Sequence, residues 1–132
     1  SALLPPHSRR ALVLIDPSYE LKNEFEQVFD AVSKAHKKFS TGIYAVWYPV
    51  VDRQKVDRLK KKLIASEIKN IQRFELGLSP DSDERGMTSA GLFVINPPWN
   101  LFDKMSTLLP RLAQVIGDTN EKCFKCDIIA KE

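Results

Sequence analysis

The run Ala11-Leu12-Val13-Leu14-Ile15 carries no polar side chain, and it stops abruptly at Asp16-Pro17-Ser18-Tyr19. A short apolar run rich in branched residues and closed by a turn predicts a buried β-strand. The next stretch has a different period. From Glu20 to Phe39 the apolar positions are Leu21, Phe25, Val28, Phe29, Val32, Ala35 and Phe39, with Gly42 beyond them as a stop. Spacings of three and four mark an amphipathic helix. A strand, a turn and a long helix form the start of a crossover, which commits the chain to an α/β sheet containing parallel strands.

The alternation continues. Ile43 to Tyr48 (IYAVWY) is β-branched and aromatic and predicts a second buried strand, ended by Pro49. Asp52 is a fair N-cap for a helix over 53–65. Its apolar stripe is Val56, Leu59 and Leu63, and its other faces hold Arg53, Lys55, Arg58, Lys60, Lys61 and Lys62. Ile71 to Leu78 predicts a third strand, 79–88 a polar loop in which Gly86 turns the chain, and Leu92 to Asn96 a fourth strand ended by Pro97-Pro98. Leu101, Met105, Leu108, Leu109, Leu112, Val115 and Ile116 mark a last helix, which Pro110 must kink or split. Phe124 to Ala130 closes the chain as a fifth strand. The expected fold is α/β, a mostly parallel sheet with an antiparallel element near its end, in a single domain over 1–132.

The 132 residues suffice for one core. No apolar stretch is long enough to cross a membrane, and no signal-peptide pattern opens the chain. The expectation is a cytoplasmic protein with no membrane partner. A net charge of +3 permits a nucleic-acid partner without requiring one. Cys123 and Cys126 have no second ligand pair to complete a zinc site, and His7 and His36 show no matching spacing. At the start of a strand, residues three apart point to opposite faces, which predicts one core thiol and one surface thiol. The chain opens at Ser1 in a proline-rich loop and runs at once into a strand, so it reads as part of something longer.

Open α/β sheets bind ligands beyond the carboxyl ends of their strands. Asp16 to Tyr19 are expected there. A nucleobase amine is a poor nucleophile because its lone pair is delocalised, and a site helps by accepting its N–H hydrogens. Asp16 supplies a carboxylate acceptor, the Pro17 carbonyl a second acceptor, and Tyr19 a flat ring on which a base can stack, with Ser18 a small spacer. The alternative is a strand-ending turn in which Asp16 caps the next helix. Asn96-Pro97-Pro98-Trp99 also follows a strand, and the Asn96 amide could take the acceptor role; the alternative there is a loop whose Trp99 packs on the last helix. The long crossover helix after Tyr19 favours the first turn.

Other signals are weaker. The loop from Asp81 to Gly86 has Arg85 at the fifth and Leu92 at the twelfth position of a would-be calcium loop, which excludes that ion, and no metal is predicted. Lys60, Lys61 and Lys62 suit a nucleic-acid backbone or a solvated outer face. His36 falls on the apolar side of its helix and reads as a packed histidine. The five glycines are scattered, so no glycine-rich turn seats a cofactor.

The first turn resembles the Asp/Asn-Pro-Pro-aromatic signature of amino-group methyltransferases, with Ser18 in place of the second proline. The likeness extends along the chain. Ala2-Leu3-Leu4-Pro5-Pro6, Arg9-Arg10, Val13 to Glu20, Thr41 to Val51, Pro80-Asp81-Ser82-Asp83, Arg85-Gly86-Met87-Thr88 and Val94 to Trp99 occur in an order similar to that of bacterial adenine-N6 methyltransferases of large-subunit (23S) ribosomal RNA. Members of that family were earlier described as involved in catabolism of external DNA. The resemblance implies the carboxyl-terminal half of a Rossmann-like, S-adenosylmethionine-dependent fold, a ribosomal RNA partner, and catalytic roles for Asp16, Pro17 and Tyr19. It implies a substrate-side role for Ser18 and for Asn96, Pro97 and Trp99, and a cofactor contact at Asp16, with the main cofactor loop absent from this chain. The runner-up is a nucleic-acid-binding protein without chemistry. Oligomeric state is left open.

Overall fold

A computed structural model describes residues 10–19, 22–84, 86–117 and 123–132. The loop expected over the first residues, including His7 and Arg9, lies almost wholly outside the described residues, as do Glu20, Leu21 and Arg85. The elements in chain order are β1 (Leu12–Ile15), α1 (Glu24–Lys38), β2 (Ile43–Val50), α2 (Arg53–Ala65), β3 (Ile71–Gly77), β4 (Ser89–Ile95), α3 (Leu101–Ile116) and β5 (Phe124–Ala130).

They form one five-stranded sheet in the order β1-β2-β4-β3-β5. β1 and β2 pair in parallel; β2–β4, β3–β4 and β3–β5 are antiparallel. The expectation of a mostly parallel sheet is therefore corrected. β4 inserts between β2 and β3 and runs against both, so β1, β2 and β3 share a direction while β2 and β3 never touch along their lengths. The closeness of β3 and β4 in sequence was legible, but the insertion was not.

Alternate residues of β2 (Tyr44, Val46, Tyr48, Val50) face a core built with Val28 and Val32 of α1 and Val56, Leu59 and Leu63 of α2. On the other face α3 covers Phe74 and Val94 with Leu101, Phe102, Met105 and Leu109. β1 departs from the expectation of a buried strand: Leu12 and Leu14 are 70% and 63% exposed. Among the described residues β1 pairs on one side only, and no described helix covers the face that carries these leucines.

Several sequence expectations fail for tertiary reasons. Pro49 does not end β2, which runs on to Val50. β1 reaches only as far as Val46, so beyond that point one flank of β2 has no ladder among the described residues and a missing N–H costs little. β4 begins at Ser89 rather than Leu92, through the weak strand formers Ser89-Ala90-Gly91. They are small because their neighbours are close: a Cβ on Gly91 would lie 2.5 Å from the Tyr48 Oη, and one on Gly77 2.3 Å from the Ser89 Oγ. Pro110 does not split α3, whose turns on either side are pinned by buried Leu109 and Ala113. Cys123 and Cys126 are both partly buried, so the division into one core and one surface thiol does not hold.

Candidate active site

Ile15 pairs with Val46, which brings Asp16 out of β1 beside Trp47. The turn that follows is fastened at two points. The Tyr19 hydroxyl donates to the Trp47 carbonyl oxygen, and the Ser18 hydroxyl donates to Glu24 Oε1 at 3.2 Å. The Tyr19 ring lies 4.6 Å from Phe25 and 5.9 Å from Trp47 between ring centres. Burial, then the nearby charges of Asp16 and Glu24, hold its hydroxyl well above the ordinary phenol range, so it stays protonated. Tyr19 also has φ of 58°, a left-handed conformation that is costly for a bulky residue, by about 1–3 kcal/mol. A ring kept there under strain is held by its surroundings rather than by local preference.

Asp16 differs from its neighbours. Its side chain is exposed, and no hydrogen bond or ion pair engages it among the described residues. In particular it does not cap α1, whose N-cap position is Asn23. Glu24, in the first turn of α1, is buried, and its Oε2 has no partner among the described residues.

The same end of the sheet carries a polar cluster that sequence periodicity did not reveal. Arg53, at the start of α2, donates to both oxygens of Glu75 (2.7 and 2.8 Å) and both of Asp81 (2.8 and 3.0 Å). Tyr48 donates to the same Glu75 at 2.9 Å. Glu75 is 3% exposed, yet it occupies a strand position next to residues of ordinary apolar pattern. Asp81 is thus not merely solvated; the guanidinium holds its carboxyl below the usual carboxylate range. A second, partly buried pair, Arg73–Asp127 (2.6 Å), joins β3 to β5.

The structure separates the second turn from the first. Asn96 follows Ile95, which pairs with Tyr44, whereas Asp16 lies level with Trp47. The two turns leave opposite ends of the sheet, about 13 Å apart along the strands. Asn96 has φ of 56° and commits its amide to the carbonyls of Ser40 and Gly42, at 2.8 and 2.9 Å. Asn96, Pro97 and Trp99, for which the resemblance implies a substrate-side role, are thus not brought together with Asp16. Trp99 is 93% exposed and does not pack on α3 either. Lys60, Lys61 and Lys62 sit in the second half of α2, about 10–14 Å along the helix from Arg53. They point different ways: Lys62 reaches over the Phe29 ring (5.7 Å) and towards Glu26 (3.9 Å). His36 sits 6.1 Å from the Tyr44 ring, and burial lowers its pKa.

The glycines at 42, 77 and 91 do not offer S-adenosylmethionine an open backbone. Its glycine-rich cradle needs backbone that a ligand can approach closely. Here Gly42, Gly77 and Gly91 are already filled by Phe39, Ser89 and Tyr48, and Gly86 lies in the open loop between β3 and β4.

A family model described as "Ribosomal RNA large subunit methyltransferase D, RlmJ" matches residues 1–127. The chain is 51% identical over 115 residues to the ribosomal RNA large subunit methyltransferase J of Haemophilus influenzae, covering 87% of this chain and 41% of that protein. It is 51% identical over 111 residues to the protein of the same description in Escherichia coli, covering 84% and 40%. The crystal structure of a protein from Legionella pneumophila superposes with a TM-score of 0.85 at 38% identity, over 96% of this chain and 46% of that one. The chain thus spans about 40% of the length of the curated relatives it matches.

Proposed function

Because this chain belongs to the large-subunit ribosomal RNA methyltransferase family, we propose that it is the substrate-facing, carboxyl-terminal half of a Rossmann-like cytoplasmic enzyme. The full protein transfers a methyl group from S-adenosylmethionine to N6 of an adenine in 23S ribosomal RNA. The cofactor is seated by the part of the relatives' length that this chain does not span, apart from a contact at Asp16.

What these residues do is bind and orient. Asp16 accepts one N–H of the adenine amine and the Pro17 carbonyl accepts the other, which draws the nitrogen lone pair out of conjugation. Tyr19 holds the ring plane, a contribution of about 1–3 kcal/mol per stacked base. The observation that carries this reading is the contrast at the end of β1: an unengaged, exposed carboxylate beside an aromatic ring that is anchored through its hydroxyl and strained in its backbone.

The test uses the full-length protein and protein-free ribosomal RNA. Asp16→Ala is expected to lower methyl incorporation by about 10²–10³-fold. Full activity in that variant overturns the assignment. A second reading, nucleic-acid binding without chemistry and linked to use of external DNA, is supported by the basic side chains of Lys55, Arg58 and Lys62 along one face of α2. It predicts salt-sensitive retention on RNA or DNA with no methyl incorporation by the wild-type protein.

A further inference from the structure

Between the start of α1 and the outer face of α2 lies a cleft of about 140 Å³. Lys55, Arg58 and Lys62 line one wall, spaced three and four residues apart and so on one face of α2. Lys22 stands on the other wall, and Phe25 lines the cleft between them. Among the described residues the one carboxylate lining it is Glu26, which approaches Lys62 at 3.9 Å; Lys22, Lys55 and Arg58 make no ion pair. Four cations facing one narrow space repel one another, and Arg58 and Lys62 do so at the i,i+4 spacing at which like charges are unfavourable. An anion relieves that repulsion.

The position of the cleft identifies the anion. Phe25, which lines it, is the ring that packs 4.6 Å from Tyr19. The cleft therefore begins where the candidate base site ends. From Lys55 to Lys62 the basic wall runs about 10 Å along the helix, long enough to meet adjacent phosphates of one strand. We infer that the α1–α2 cleft binds the sugar-phosphate backbone of the RNA strand whose base is held at Tyr19. The inference rests on the substrate reading above and adds to it the path of the strand. It also divides the lysine cluster: Lys62 lines the cleft, whereas Lys60 and Lys61 do not.

The experiment measures affinity of the full-length protein for a labelled single-stranded RNA oligonucleotide across a salt series. Lys55→Ala with Arg58→Ala is expected to weaken binding tenfold or more and to flatten the log-log salt dependence by about 1.4, that is ~0.7 for each phosphate of a single strand left without its cation. Lys22→Ala, on the opposite wall, is expected to flatten it by about 0.7. Lys60→Ala with Lys61→Ala removes equal charge outside the cleft and is expected to leave the slope unchanged. In methyl transfer, the Lys55/Arg58 variant is expected to raise KM with kcat retained at saturating RNA. A wild-type slope in the Lys55/Arg58 variant, or an equal flattening in the Lys60/Lys61 variant, overturns the inference. Absence of methyl incorporation by wild-type protein sinks the catalytic reading alone, because the slopes are read without turnover.

Discussion

The Tyr19 hydroxyl donates to the main-chain oxygen of Trp47, fastening the ring that follows β1 to the strand beside it. This bond separates two contributions of one side chain. Tyr19→Phe keeps the ring and loses the anchor, and is expected to cost about 1 kcal/mol in stability, with modest loss of methyl transfer by the full-length protein. Tyr19→Ala also removes the ring proposed to stack on the base and is expected to lower kcat/KM by about a further 10–100-fold, from about 1–3 kcal/mol of stacking. Thermal melting and methyl incorporation measure the two. Equal activity of the Phe and Ala variants would show that the ring holds no base.

The Ser18 hydroxyl supplies a second tie in the same turn. It reaches Glu24 Oε1, the oxygen of a buried carboxylate whose other oxygen has no partner among the described residues. Ser18→Ala is expected to destabilise the fold by about 1–3 kcal/mol by stranding that carboxylate. Ser18→Ala combined with Glu24→Ala is expected to cost no more than Glu24→Ala alone, measured by denaturant titration. Simple additivity would dissociate the two residues.

Arg53 clasps Glu75 and Asp81 together. Arg53→Met leaves Glu75 buried with the Tyr48 hydroxyl as hydrogen-bond donor and only the more distant Arg73 charge to offset its own, and a loss of about 3 kcal/mol is expected. Asp81 adds a pH dependence of known sign. Its carboxyl titrates below the ordinary 3.8 in the folded chain, so its contribution is present above that pH and fades as pH falls through the depressed value. Asp81→Asn is expected to remove that part of the acid sensitivity, as read from melting temperatures between pH 5 and 3.

The chain has three tyrosines, and all three phenols are shifted upwards: Tyr19 and Tyr48 by burial and neighbouring carboxylates, Tyr44 by burial. The folded chain therefore keeps protons that the unfolded chain releases near pH 10, and stability must fall as pH rises above that value. Phenolate absorbance is expected to appear together with loss of far-ultraviolet circular dichroism, not ahead of it. A tyrosine that ionised near pH 10 in folded protein would contradict the packing described for it.

Asn96 is expected to behave as a structural residue. It combines a left-handed φ with two amide hydrogen bonds to Ser40 and Gly42. Asn96→Gly loses only the bonds, whereas Asn96→Ala loses the bonds and strains the backbone, so the alanine variant should be the less stable by about 1 kcal/mol. Both should leave RNA affinity of the full-length protein unchanged. A selective loss of binding in either would return Asn96 to the substrate site.

Local pattern was enough to find every element. Residues 53–65 were legible as a helix because Val56, Leu59 and Leu63 repeat with the helical period behind an Asp52 cap, which accepts from the Gln54 amide. The turn at 16–19 was legible because a run of apolar residues cannot pass through Asp-Pro as a strand. The polar network was not legible. Arg53 and Glu75 are charged, and periodicity sends charged residues to the surface; only the register of β3 against β4 and the start of α2 bring them together inside.

The amino-acid order by itself determined where strands and helices form and which turn follows β1, because these depend on neighbours within a few residues. The tertiary structure decided the insertion of β4 between β2 and β3, the sending of Asn96 to the far end, and the meeting of Lys22 with Arg58 across one cleft. Those outcomes depend on contacts between residues distant in the chain, which no local period encodes.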